Sequence, residues 1–280
     1  MIIDSHLHFW DLELFPYEWI SPQSSVLYRT YTPDDIWPHL QTNGVTGAVF
    51  VQANNLIEES EWVLGLSEIY PWILGVVGWV DLAAPDIEST LNRLARYPRY
   101  KGVRAAAPGS DWLESSSVQR GLFALAELGL SLDVLTSPTE LARLPRVLRS
   151  HPNLQVIVDH LGGAPIASGS LKQWQQDFRE VALETTVVAK VSGMLTAARN
   201  EDGTLADIKP FLQTALDCFG SQRLMFGGDW PVSLLATSYT DTVTTTQRAL
   251  RDISAEKVDY IWYKTAQRVY RLDLPSVRQK

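Results

Sequence analysis

Apolar positions fall into eight short runs, starting near Ile2, Ala48, Ile73, Gly102, Leu130, Leu154, Val187 and Arg223. Runs this short, rich in Val, Ile and Leu, predict strands buried on both faces, as in a parallel sheet. Their starts lie 24 to 46 residues apart, near the ~30 residues of a strand-helix-strand unit. The segments between them carry helical signatures. Residues 115–128 place Leu122, Leu125 and Leu128 at helical spacing, Ser137-Pro138 reads as an N-cap followed by Pro at the first helical position, and residues 205–219 end at Gly220. Further helices are expected over 85–96, 172–183, 240–252 and 255–269.

Eight strands alternating with helices either close into a barrel or stay open as a doubly wound sheet. Closure is favoured by the strand number and by a length of 280 residues, near the ~250 typical of the barrel. No Gly-rich dinucleotide fingerprint follows the first strand, which weakens the open alternative. The expectation is a single-domain (β/α)8 TIM barrel, an α/β fold over residues 1–280, distorted by a long loop after strand one between Trp10 and Gly47. That loop ends in a short helix over 33–41 that Pro38 is expected to distort. It leaves the barrel end where active sites sit, and either acts as a substrate lid or merely covers the mouth.

With 45% apolar and 20% charged residues, the composition is that of a folded domain rather than a disordered chain. A net charge of −8 and the lack of any Lys/Arg run argue against nucleic acid. No apolar run approaches the ~20 residues that span a bilayer. No secretory signal is visible, and Cys218 is the one cysteine, so neither an internal disulfide nor a cysteine metal cluster can form. Cys218 is expected to pack in a helix, and a cytoplasmic location fits these features. Ten Trp stand beside ten Tyr and eight Phe, an excess of indoles that asks for a use.

The densest chemical signal is Asp4-Ser5-His6-Leu7-His8 at the end of the first strand. Residues i and i+2 of a strand share a face, so His6 and His8 converge on one point at the barrel mouth, where neutral imidazoles suit a divalent ion. His160 ends strand six in Val156-Ile157-Val158-Asp159-His160, and Asp229 ends strand eight, beside strand one once the barrel closes. Closure brings three His and one Asp together, the set expected of a mononuclear hydrolase. His39 in the Pro-flanked helix and His151 at the opposite barrel end are expected to be structural.

Segments along nearly the whole chain resemble the amidohydrolase superfamily. They are Asp4-Ser5-His6-Leu7-His8-Phe9-Trp10, Tyr17-Glu18-Trp19-Ile20, Val51-Gln52-Ala53, Val77-Gly78-Trp79, Val158-Asp159-His160, Lys190-Val191-Ser192-Gly193 and Phe226-Gly227-Gly228-Asp229-Trp230-Pro231. Within the superfamily they are most similar to the lactonase branch of L-fucono-1,5-lactonase, L-rhamnono-lactonase and 2-pyrone-4,6-dicarboxylate lactonase. The resemblance implies a hydrolase that opens a sugar lactone to its acid, centred on His6, His8, His160 and Asp229. It implies one divalent metal on those residues, zinc first and manganese next, or activity without metal, since members differ. Gly102-Val103-Arg104-Ala105 offers no bridging lysine on strand four, which argues against a binuclear centre. Relatives commonly follow the strand-four arginine with a polar His-Gln type pair; here Ala105-Ala106-Ala107-Pro108 follow, so the sugar-reading surface differs.

On that reading Asp229 is the general base and His160 a proton donor. Arg104 and Lys190, at the ends of strands four and seven, meet the anionic product, although parity equally allows Lys190 a buried ion pair. Gln52 bonds a hydroxyl, and Asp133 does likewise or caps a turn. Trp10, Trp79 and Trp230 after strands one, three and eight, with Trp19 in the long loop, face the sugar. Trp37, Trp62, Trp174 and Trp262 lie in helical stretches and are expected to pack, with Trp72 and Trp112 unassigned. The expected partner is a small-molecule lactone, with no nucleic acid or membrane and with a homo-oligomer left open. A lactone isomerase, a metal-dependent decarboxylase and a non-catalytic sugar-acid binder are open alternatives on the same residues.

Overall fold

The computed structural model describes residues 1–106 and 112–274. Its eight parallel strands are β1 (Ile2–Leu7), β2 (Val45–Val51), β3 (Ile73–Gly78), β4 (Tyr100–Ala106), β5 (Ser131–Leu135), β6 (Val156–Val158), β7 (Val188–Val191) and β8 (Leu224–Phe226). They pair in sequence order, and a parallel bridge between Leu7 and Trp230 joins the end of the sheet to its beginning. The fold is the (β/α)8 barrel expected from the apolar runs. Ala107, Pro108 and the side chain of Trp112 lie outside the described residues, and no described helix is long and apolar enough to cross a membrane.

Period-two alternation divides the strand residues between two cores. Val49 and Val51 pack inside the barrel with Ile3, Ile157, Val188 and Met225, whereas Ala48 and Phe50 join the layer between strands and helices. Val269 and Tyr270 of the last helix, Thr265–Tyr270, belong to the inner cluster, so the C-terminal helix plugs the barrel. Local signals hold where side chains make them. Ser115 accepts from the Val118 amide ahead of helix Ser116–Leu128, and Gly129 ends it at φ 63°; Ser137 and Glu140 form a capping box.

Several boundaries move. The helix expected from Leu205 starts at Lys209, because Leu205 pairs with Arg199 instead. The 255–269 pattern divides into Ala255–Asp259, a π-helical turn Tyr260–Lys264 and Thr265–Tyr270. Helix Pro33–Thr42 runs on through Pro38, which costs one hydrogen bond without ending it. Helix Ile57–Ile69 was not marked by the apolar pattern, since buried Glu59, Ser60 and Ser67 blur its stripe.

The β1–β8 seam is held by Asp4, which is fully buried. Its Oδ1 accepts from the His6 amide at 2.9 Å and the Gly228 amide at 2.8 Å, and its Oδ2 accepts from the Tyr239 hydroxyl at 2.8 Å. Gly228 is required for this approach, because a Cβ there would lie 2.4 Å from the Tyr239 ring and 2.5 Å from Asp4 Oδ2. Burial pushes the Asp4 carboxyl up to about 6, against those hydrogen bonds.

A second buried carboxylate anchors the long loop. Glu59 Oε2 accepts from the Ala53 and Asn54 amides at 3.0 and 3.1 Å, and the Ala53 carbonyl in turn accepts from Trp19 Nε1 at 2.7 Å. Burial pushes Glu59 up to about 7, although both amides favour its ionised form.

Removing the Asp4 carboxylate leaves the Gly228 amide and the Tyr239 hydroxyl unpaired in a dry seam. Asp4→Ala should therefore lower the unfolding free energy by about 2–4 kcal/mol in a urea titration. Glu59 gives a pH test. The folded protein keeps this proton up to about 7 while the unfolded chain releases it near 4.5, so Glu59 contributes stability at low pH that is lost as pH rises through that window. Relative to the wild type, Glu59→Gln should flatten that decline by on the order of 2–3 kcal/mol; parallel stability-pH curves for the two proteins would refute the assignment.

Candidate active site

The four expected residues meet at the carboxyl end of the barrel. His6 and His8 leave β1 on one face, with ring centroids 4.9 Å apart. The His160 ring lies 4.6 Å from that of His6, and Asp229 Oδ1 reaches His8 Nε2 at 3.3 Å and His6 Nε2 at 3.7 Å. His160 (φ 52°) and Asp229 (φ 56°) both occupy left-handed backbone, which costs a non-glycine residue on the order of 1–2 kcal/mol. Neighbours hold them there. The Asp229 amide donates to the His6 carbonyl at 2.7 Å, His160 Nδ1 meets Ser192 Oγ at 2.9 Å, and a Cβ at Gly193 would lie 2.7 Å from that ring nitrogen.

The donor set fits a divalent ion. His8 Nδ1 lies 2.8 Å from the Val51 carbonyl, which can only accept, so that nitrogen carries a proton. The other ring nitrogen, Nε2, is the one turned onto the Asp229 carboxylate, at 3.3 Å. His6 Nε2, buried and without a hydrogen-bond partner among the described residues, faces the same carboxylate. Ligand atoms of His6, His8 and Asp229 all lie within 4.8 Å of one another, a spacing that suits a divalent ion held between them. His160 falls into an overlapping group with His6 and Asp159 rather than into this one.

Electrostatics prepare the same set. Burial, reinforced by the Lys190 charge, holds His6 well below the ordinary imidazole range, and burial lowers His160 as well. Burial opposes ionisation of Asp229, but His160 and the contact with His8 outweigh it and pull the carboxyl down to about 2.

A cavity of about 620 Å3 opens over the cluster. Its walls include His8, His160, Asp229, Gln52, Arg104 and Trp19, with Leu135, Ala197 and Val232 giving an apolar side. Arg104 is fixed in direction by its Nε bond to Asp159 Oδ2 at 3.1 Å. A larger groove, about 790 Å3, lies between helices Ile87–Leu94 and Ser116–Leu128 but holds no histidine.

Other expectations for the lining fail. Lys190 shares the inward parity of Val188, is 0% exposed, and is bound to Asp133 Oδ2 at 2.6 Å and Asp159 Oδ1 at 3.1 Å. Asp133, equally buried, therefore neither meets the cavity nor caps a turn. Trp10 pairs through its backbone with Tyr31, which turns the indole into the protein; its Nε1 donates to the Arg29 carbonyl at 2.7 Å, and Trp19 rests edge-on upon it at 5.4 Å. Trp230 packs against Phe9 and Tyr31, and Trp79, half-buried, lies outside the lining. Of these four indoles only Trp19 reaches the cavity. The helical indoles pack as expected: Trp174 and Trp262 are buried, Trp62 lies against Phe15, and Trp37 stacks on Trp72. His151 bonds Gln119 far from the cluster in sequence.

The sequence reading missed Asp159, which contacts His6, Lys190 and Arg104. Its signal was present, because it stands two residues after inward-facing Ile157. Ser192, Asn55 and Thr196 come from segments beyond strand ends, where no periodicity marks them.

Comparison with known proteins agrees with this geometry. The family model described as Amidohydrolase matches residues 3–272. L-fucono-1,5-lactonase of Burkholderia multivorans is 33% identical over 98% of this chain and 97% of its own length. The enzyme of the same name from Burkholderia ambifaria is 32% identical over 85% of this chain and 83% of its own. A crystal structure of a Burkholderia multivorans amidohydrolase with bound zinc superposes with a TM-score of 0.92 at 33% identity, covering 98% of this chain and 100% of that one. Fold, site geometry and sequence together place the chain in the amidohydrolase family.

Proposed function

We propose that this chain is a single-domain hydrolase that opens the ester ring of a sugar lactone, with Asp229 as general base. The observation that carries the reading is an ionised carboxylate on the wall of a cavity, with the Nε2 atoms of His6 and His8 at 3.7 and 3.3 Å from it. Two lactonases similar over most of the chain supply the substrate class.

A carboxylate held near 2 is ionised at every working pH, yet it is a weak proton acceptor. Its water must therefore be acidified as it reacts. His6, His8 and Asp229 would hold a divalent ion, which when bound would acidify that water and polarise the lactone carbonyl, and two imidazoles with one carboxylate suit zinc first, then manganese. Arg104 holds the carbonyl or the emerging carboxylate from the cavity wall. In the tautomer where Ser192 Oγ donates to His160 Nδ1, the ring proton is on Nε2 and can hydrogen-bond the departing ring oxygen, while the proton that this oxygen takes up returns from Asp229, which received it from water. Gln52 and Asn55 offer hydrogen bonds to hydroxyls, and Trp19 offers a flat face to the ring.

Three measurements test this reading. Aldonolactones should release one proton per turnover to a pH indicator; no acid release across a panel of ring sizes and stereochemistries sinks the proposal. Asp229→Asn should lower kcat by about 10³-fold or more, whereas a mere binder would keep its ligand. Trp19→Ala should raise KM about 3–10-fold with a smaller change in kcat, because it removes a wall rather than a reacting group.

A further inference from the structure

Beneath the cluster, Lys190 is a lysine with no access to solvent and three neighbours. Its Nζ lies 2.6 Å from Asp133 Oδ2, 3.1 Å from Asp159 Oδ1 and 3.1 Å from His6 Nδ1. Asp133 is itself fixed by the Tyr270 hydroxyl at 2.5 Å and by Ser131 Oγ at 3.1 Å, so the ammonium is clamped from below. His6 Nδ1 thus has two candidate partners. It can accept from Lys190, or it can carry a proton and donate to Asp159 Oδ1 at 3.3 Å, but it cannot do both. The alignment favours the first. The contact with Lys190 has hydrogen-bond geometry, while Asp159 Oδ1 accepts no aligned hydrogen bond among the described residues.

We propose that Lys190 and Asp159 form a two-position proton switch behind His6. With no ion bound, Lys190 donates to His6 Nδ1, and the imidazole proton sits on Nε2, facing Asp229. Ion binding needs the Nε2 lone pair, so the proton transfers to Nδ1 and is received as a hydrogen bond by the waiting Asp159 Oδ1. The imidazole stays neutral throughout, losing one N–H bond and gaining another, and Lys190 stays an ammonium on Asp133. Lys190 is therefore a positioning residue that opposes ion binding, and Asp159 one that promotes it. This rests on His6, His8 and Asp229 being the ion site, and not on which lactone is hydrolysed.

The test uses the intact protein, stripped with chelator and then titrated with zinc. With five histidines in the chain, long-range proton-nitrogen NMR resolves each ring, and His6→Gln assigns the His6 signals. Stripped protein should show His6 protonated on Nε2, and zinc should move that proton to Nδ1. A stripped His6 already protonated on Nδ1 overturns the proposal, as does zinc binding that leaves the ring unchanged. Failure to bind zinc at all overturns both the switch and the ion-site assignment, while a lactonase assay that fails with the switch intact removes only the proposed reaction. By calorimetry, Asp159→Asn should weaken zinc about 10–100-fold, and Lys190→Met should tighten it; equal affinities in all three proteins overturn the switch. If Lys190→Met does not fold, the wild-type spectra still decide.

Discussion

The structure depends on how β1 meets β8. A barrel of eight strands has one seam that sequence order does not zip, and here a buried carboxylate braces it beside the backbone bonds that cross it. Asp4 joins β1 to the Gly228 amide after β8 and to Tyr239 on helix Tyr239–Ala249. The same seam sets the chemistry, because His6 and His8 come from one side of it and Asp229 from the other. The backbone bonds from Asp229 to His6 and from His8 to Trp230 lock that register to within hydrogen-bond tolerance. A slip of one residue would turn His6 and His8 away from the mouth together. Stability and function are thus coupled at this seam rather than distributed over separate parts of the fold.

Below the seam, the barrel carries charge where an ordinary barrel carries branched apolar side chains. Asp133, Asp159 and Lys190 are all 0% exposed, and Arg104 closes the layer above them. Desolvating such groups costs as much as their attraction returns, so the layer is poor evidence of stability for its own sake, although removing one member would cost about 3–5 kcal/mol. What the layer gives is direction. Its members are held to one another at 2.6 to 3.1 Å, which leaves His6 and Arg104 few orientations. The apolar plug from the C-terminal helix makes the arrangement dry, and Tyr270 ties that plug to Asp133.

Much of this was legible in the chain. Strand positions follow from apolar runs, helix ends from Ser137-Pro138 and Gly220, and the convergence of His6, His8, His160 and Asp229 from strand order and closure. What was not legible depends on choices that pattern leaves open. Parity puts Lys190 on the inner face but cannot say at what height along the barrel it sits. Trp10 and Trp230 follow strand ends as Trp19 does not, yet the chain turns at the Trp10–Tyr31 pairing, and both indoles become the floor on which the loop stands. Asp4 sits in the same motif as the histidines, but two of its three partners, Gly228 and Tyr239, lie more than 220 residues away in sequence, beyond any local signal.

Placing these groups also changes what the net charge of −8 implies. An acidic protein that makes an anionic product needs local positive charge, and Arg104 and Lys190 were the available cations. The structure removes Lys190 from contact with the cavity and pairs Arg104 with Asp159, so both cations are balanced by buried carboxylates. Asp229, on the cavity wall, then has histidines but no Lys or Arg as ion-pair partners among the described residues. The protein alone offers an anion a negative surface with one directed guanidinium edge. On the proposed reading, a divalent ion held by His6, His8 and Asp229 would reverse that sign where the carbonyl must be polarised. The same residues would then attract or repel a sugar acid according to ion occupancy. Control of product affinity would lie with these three side chains at the seam rather than with a surplus of basic ones.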